Sequence, residues 1–165
     1  MKKNIIYGLI IIVVSILLDQ ITKVIMLSEL QTEGEFMVVI PDFFKFLLVF
    51  NDGAAFSILE GKFGLLMAMT AIATIVFIFM AGSAKFDENP FYSFGIYLMI
   101  GGMLGNFIDR VFRPDHKVVD FLSFTFFGNP FATFNIADCC LVIGVILVCV
   151  DLLIFEPIRK KKTSK

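Results

Sequence analysis

The sequence predicts an all-α membrane protein in which four transmembrane helices carry a small extracytoplasmic cradle rich in β-structure. Three observations carry that prediction. Of 165 residues, 58% are hydrophobic and only 18% charged, and the mean hydropathy is +0.90, a balance unlike that of a water-soluble globule. Four separate stretches are long and apolar enough to cross a hydrocarbon layer about 30 Å thick, which asks for roughly 20 residues each. Two of the connections between them hold short bursts of aromatic and β-branched residues bounded by turn residues. A single integral membrane domain over residues 1–165 is expected.

The first span, Ile5–Met26, follows Lys2 and Lys3 in the manner of a signal peptide. No small-x-small cleavage site follows, and the helix continues through Asp19, Gln20 and Lys23, so it is expected to be retained. Phe63–Ala81 and Phe91–Ile108 contain no Asp, Glu, Lys or Arg. Asn135–Phe155 is apolar between Asp138 near its start and Asp151 near its end. Arg159, Lys160, Lys161, Lys162 and Lys165 follow it, and these cations, with those at the amino end, place both termini in the cytoplasm. The connection Gly82–Pro90 is then a cytoplasmic turn. On the outer side Phe36–Ile40, Phe43–Phe50 and Phe121–Phe127 read as short strands, interrupted by Pro41-Asp42 and by Gly128-Asn129-Pro130. Many of the 21 phenylalanines lie here, to face lipid or to form a small core for the outer loops.

Composition also excludes functions. Fourteen basic residues against 15 acidic ones give a net charge of -1, without the basic field that nucleic-acid binding needs. Cys139, Cys140 and Cys149 fit neither a disulfide framework nor a metal site and read as small packing residues. The single histidine, His116, reads as a solvated loop residue without a second His to share a zinc ion.

A charge beside the hydrocarbon core costs on the order of 2.5 to 3.5 kcal/mol on insertion scales, so each one calls for an explanation. With the first helix running outward, Asp19, Gln20 and Lys23 fall toward its outer end. The third helix closes outward with Asn106, Asp109 and Arg110, and the fourth opens with Asn135 and Asp138. Asn51 and Asp120, in the outer loops, reach the same depth. Asp19 and Lys23 are spaced i,i+4 with the acid first, and Asn106 stands i,i+3 and i,i+4 from Asp109 and Arg110. The pairs Asp19 with Lys23 and Asp109 with Arg110 read as braces in preference to substrate contacts. Gly101-x-x-x-Gly105 is a close-packing signal. Asp120 and Asp138 have no obvious cation and apolar neighbours. Two such acids in a desolvated site share a proton, so one serves as base toward water and the other as acid. Spacing alone leaves cation binding or proton carriage open to them, and a small ion-coupled transporter or a structural assembly factor remain alternatives.

The blocks Asp19-Gln20-x-Thr22-Lys23, Asn51-Asp52-Gly53-Ala54-Ala55-Phe56, Gly105-Asn106-x-Ile108-Asp109-Arg110, Val119-Asp120-Phe121 and Phe134-Asn135-Ile136-Ala137-Asp138, in this order across four spans, resemble lipoprotein signal peptidase, also called signal peptidase II. The resemblance implies an intramembrane aspartyl endopeptidase of the bacterial cell (inner) membrane. It would cleave prolipoproteins before the diacylglyceryl-modified cysteine of the lipobox. Its catalytic pair would fall on Asp120 and Asp138. Substrate-binding or supporting roles would fall on Asp19, Lys23, Asn51, Asn106, Asp109, Arg110 and Asn135. The resemblance implies no metal or organic cofactor. The expected partners are lipid-modified prolipoproteins and membrane lipids, the expected state a monomer, and the expected site lies near the outer leaflet. Gln31–Pro41 or Asn51–Lys62 would serve as a lid. Asp52 and Cys139 depart from the family's usual residues, and the charge of Asp52 is expected to raise the pKa of the pair.

Overall fold

The structure, a computed structural model, describes residues 2–53 and 63–163. Four helices in it are long and apolar enough to cross a membrane. Helix α1 spans Lys2–Glu29, α2 Phe63–Ala81 and α3 Pro90–Phe112. Helix α4, Ile136–Val150, runs through a π-helical turn at Asp151–Phe155 into α5, Glu156–Thr163. The fourth expected span therefore opens one residue later, because Asn135 caps it from outside the helix, and it extends further into the basic tail.

The bundle is arranged inside out relative to a soluble protein. On α1 the apolar side chains Ile10, Val14, Leu17, Ile21 and Val24 are exposed, whereas Ser15, Asp19 and Lys23 are buried. These three recur every fourth residue and form one polar stripe facing inward, the placement that lipid imposes. Helix α3 is the central rod, buried along most of its length, and it packs against α1, α2 and α4. Its glycines allow this. A Cβ on Gly101 would stand 2.7 Å from Ser15 Cβ, one on Gly105 2.7 Å from Asp19 Oδ2, and one on Gly95 2.7 Å from the Gly144 carbonyl. The spacing Gly101-x-x-x-Gly105 thus packs α3 closely against α1. Below it Ile96, Tyr97, Met99, Ile100, Met103 and Val148 form the main apolar cluster. The turn at 82–89 is a plain connection, closed by Asn89 Oδ1, which accepts the Lys85 N–H at 2.8 Å.

At the far end of the bundle lies an antiparallel four-stranded sheet in the order β1-β2-β3-β4, with β1 Phe36–Ile40, β2 Phe44–Asn51, β3 Val118–Phe126 and β4 Asn129–Pro130. The expected strands at 36–40 and 43–50 are present to within a residue. The third begins at Val118, ahead of the expected Phe121, because Val118, Val119 and Asp120 pair with Asn51, Phe50 and Val49 of β2. Asp120 is consequently held inside a strand. Gly128-Asn129-Pro130, read as a break, contains β4: Phe126 pairs with Asn129 across a two-residue turn. Both turn residues have positive φ, 52° at Phe127 and 78° at Gly128, as a hairpin turn of this length requires. Every residue of β1 is exposed.

Candidate active site

The site forms where the sheet meets the ends of α1, α3 and α4. Asp120 is placed by β3, and pairing with β2 brings Asn51 alongside, so that Asn51 Nδ2 donates to Asp120 Oδ2 at 2.8 Å. Asp138 is placed by a capping box at the start of α4. Asn135 Oδ1 accepts the Asp138 N–H at 3.0 Å, and Asp138 Oδ2 accepts the Asn135 N–H at 3.2 Å, the reciprocal arrangement that satisfies the free donors of a helix start. Asn135 also donates Nδ2 to Asp120 Oδ1 at 2.6 Å, so one residue bridges both acids. From α3, Asn106 Nδ2 donates to Asp138 Oδ1 at 2.8 Å. Asp120 is 2% exposed; Asp138 is half-buried.

Burial, followed by the neighbouring charge of Asp138, pushes the Asp120 carboxyl up to about 7, against the pull of the Asn51 and Asn135 amides and of Lys23. Two acids so close cannot easily both ionise, and the pair titrates as a unit.

Beneath the pair lies a buried ionic cluster. Lys23 Nζ stands 2.8 Å from Asp19 Oδ2 and 2.8 Å from Asp109 Oδ2, and it donates to Asn106 Oδ1 at 3.0 Å. Both aspartates also hold backbone: Asp19 Oδ1 accepts the Ala137 N–H at 2.9 Å, and Asp109 Oδ2 accepts the Val119 N–H at 3.1 Å. The cluster thereby ties α1 to the start of α4 and α3 to β3, next to Asp138 and Asp120 respectively.

All nine residues picked out in the sequence gather here, but the expected pairing of Asp109 with Arg110 is not formed, and Asn106, spaced to reach both, bonds Lys23 and Asp138 instead. Adjacent helical residues point about 100° apart. Asp109 therefore faces Lys23 on α1, while Arg110 turns the other way and donates to the Gly53 carbonyl at 2.8 Å. Asp52 forms an ion pair with Lys117 at 3.9 Å, both side chains over a third exposed, so its charge is already partnered. Of the cysteines only Cys140 is buried; Cys149 lies exposed on the helix surface, where a lipid-facing residue needs no packing partner. His116 is exposed, and its Nδ1 meets the Arg110 carbonyl at 2.8 Å. Among the described residues no group of His, Cys, Asp and Glu is arranged to hold a metal ion. Of the lid segments, residues 31–40 are exposed, whereas 54–62 lie outside the described residues.

Gln20 is an addition that spacing did not single out. Its Nε2 donates to Asp19 Oδ2 at 3.1 Å, to the Gly105 carbonyl at 3.2 Å and to Asp109 Oδ1 at 3.0 Å. The signal was present in its position three residues before Lys23, on the shoulder of the polar stripe.

Comparison with known proteins gives the family and the fold. The profile of the family described as Signal peptidase (SPase) II matches residues 11–154. A lipoprotein signal peptidase of Staphylococcus aureus (strain bovine RF122 / ET3-1) is 39% identical over 159 residues, covering 96% of this chain and 94% of that protein. One from Staphylococcus haemolyticus (strain JCSC1435) is 38% identical over 156 residues, covering 93% and 96%. A solved structure described as "Bacterial membrane enzyme structure by the in meso method at 2.3 A resolution" superposes with a TM-score of 0.80 at 38% identity, over 89% of this chain and 87% of that one. A second, at 1.9 Å, gives 0.78 over 90% and 93%. With its four apolar helices and most of its length matched, the chain belongs to the signal peptidase II family.

Proposed function

We propose that this protein is an intramembrane aspartyl endopeptidase that removes signal peptides from bacterial prolipoproteins, cleaving before the diacylglyceryl-modified cysteine of the lipobox. The observation that carries the reading is the meeting of Asp120 and Asp138 across Asn135, with an N–H donor on each of their four oxygens. Holding one proton between them, the ionised acid takes a proton from water as its oxygen attacks the scissile carbonyl. The protonated acid donates to that carbonyl oxygen, giving a tetrahedral diol. Collapse of the diol breaks the C–N bond, and the amine leaves with a proton returned by the pair. The asparagine amides steady the charge as it passes between the acids. No metal or organic cofactor enters these steps.

The chain acts as one membrane unit and as a monomer, with both termini in the cytoplasm and the site near the outer leaflet. There the apolar segment of a signal peptide lies against the helices and its acyl chains stay in lipid. The test is cleavage by purified, detergent-solubilised protein of a diacylglyceryl-modified prolipoprotein, with the unlipidated form as control. Asp120→Asn and Asp138→Asn are expected to abolish cleavage while the proteins still fold and insert. Turnover retained in either variant removes that residue from the pair.

A further inference from the structure

We propose that Lys23 is a positioning residue for the reaction: by fixing which end of the Asn106 amide faces Asp138, it sets the pH at which the acid pair becomes singly ionised. The proposal rests on the assignment of Asp120 and Asp138 as the reacting pair.

An asparagine amide has two ends of nearly equal shape and opposite hydrogen-bonding character, so its neighbours decide its orientation. A neighbour that can only donate leaves no choice. Lysine is such a neighbour, with three N–H groups and no acceptor. Lys23, 2% exposed, has one partner for each of the three: Asp19 Oδ2, Asp109 Oδ2 and Asn106 Oδ1. The two carboxylates hold the ammonium on a tripod whose third leg must meet an oxygen. Asn106 therefore turns Oδ1 to Lys23, and Nδ2 to Asp138 Oδ1. Reversed, it would set N–H against ammonium and oxygen against carboxylate in a buried place.

The other two amides of the site are oriented in the same way, by backbone. The Asp138 N–H fixes Asn135, and the Gly53 N–H, donating to Asn51 Oδ1 at 2.9 Å, fixes Asn51. Asn106 is held by two side-chain donors, Lys23 Nζ and Asn135 Nδ2, the latter donating to the same Oδ1 at 3.0 Å, and of the two only Lys23 cannot accept and so cannot turn round. The charged groups facing the pair are Asp19 and Lys23 on α1 and Asp109 and Arg110 on α3. Asp120 and Asp138 face each other from β3 and α4. Arg110 donates to the Gly53 carbonyl, so the amide N–H of Asn106 is what α3 offers Asp138 directly. With that N–H in place, loss of the first proton from the pair is favoured; with an oxygen there, the pair stays fully protonated to higher pH.

A double-mutant cycle of Lys23→Met and Asn106→Ala, read as kcat, KM and the pH profile of kcat, separates this relay from a plain field effect of the ammonium. Lys23→Met is expected to lower kcat roughly tenfold or more with KM little changed, and to move the profile to higher pH. In the Asn106→Ala background the same change is expected to add little. Costs that add in full overturn the proposal. Because Lys23→Met leaves two buried carboxylates without their cation and can prevent folding, Asn106→Leu is the second variant. It removes the N–H that faces Asp138 and adds no charge, and a wild-type pH profile for it overturns the proposal as well. Titrating the aspartates by 13C NMR in wild type and Asn106→Leu, with Asp120→Asn for assignment, reads the relay without turnover. An upward move in Asn106→Leu supports it and an unchanged titration overturns it. Failure of wild type to cleave, by contrast, overturns the endopeptidase reading alone.

Discussion

At the scale of the residue the site is a matter of which donors face which oxygens. Asn51 gives Asp120 Oδ2 an N–H and favours the ionised form of an acid that burial and the charge of Asp138 push up to about 7. The pair works while it holds one proton, so kcat is expected to fall as the pH rises past about 7 and that proton is lost. Removing an amide that favours the anion raises the pKa. Asn51→Ala is therefore expected to move the basic limb of the profile upward, toward about pH 8 for a bond of about 1.4 kcal/mol. A limb that stays in place or moves down counts against Asp120 as the group responsible. The identity of these residues was legible in the sequence, because polar groups beside apolar spans are costly and stand out. Their partners were not. Asp109 and Arg110 are neighbours in the chain, yet one faces Lys23 and the other Gly53, since a helix separates adjacent side chains by rotation.

At the scale of the element, the close approach of α3 to its neighbours is what lets three helices share one cluster. A Cβ on Gly105 would meet Asp19 Oδ2 at 2.7 Å and Ala137 Cβ at 3.2 Å. Neither yields easily, because Asp19 is held by Lys23 and by the Ala137 N–H. Gly105→Ala is expected to destabilise the fold by about 1–3 kcal/mol, seen as a lower Tm in detergent, and to reduce kcat by shifting the Asn135–Asp138 cap away from Asp120. A Tm equal to wild type shows that the helices part freely there. The Gly101-x-x-x-Gly105 spacing announced close packing, and run length announced the four spans, because both signals are local. The start of β3 escaped the same reading. Asp120 breaks an apolar pattern, yet it lies within the strand because β2 supplies its pairing partner and Asn51 takes up its charge. Such long-range compensation leaves no trace in a window of neighbouring residues. The π-helical turn at Asp151–Phe155 has the same character: Asp151, 1% exposed, is taken up by Arg159 at 2.6 Å, eight residues further on.

At the scale of the whole molecule, the rod formed by α4, the π-helical turn and α5 acts as a ruler. From Asp138 to Arg159 is about 30 Å of helix, close to the thickness of a hydrocarbon core. If Arg159 and Lys160–Lys162 sit in one interfacial layer, the acid pair sits at the opposite boundary, with the sheet beyond it. Basic residues favour the cytoplasmic side, so the proposed orientation puts the sheet outside and the turn at 82–89 inside. Asp42 in the β1–β2 turn and Glu88 in the α2–α3 turn are both exposed, and a cysteine at either lies away from the site, with modest backbone strain at Asp42, whose φ is 58°. In intact cells a membrane-impermeant maleimide is expected to label Asp42→Cys and to leave Glu88→Cys unlabelled until the membrane is opened, with the unsubstituted chain as control for Cys139, Cys140 and Cys149. The reverse pattern turns the molecule over. It would set the acid pair at the cytoplasmic boundary, away from the leaflet in which a diacylglyceryl-modified substrate presents its cleavage site after export.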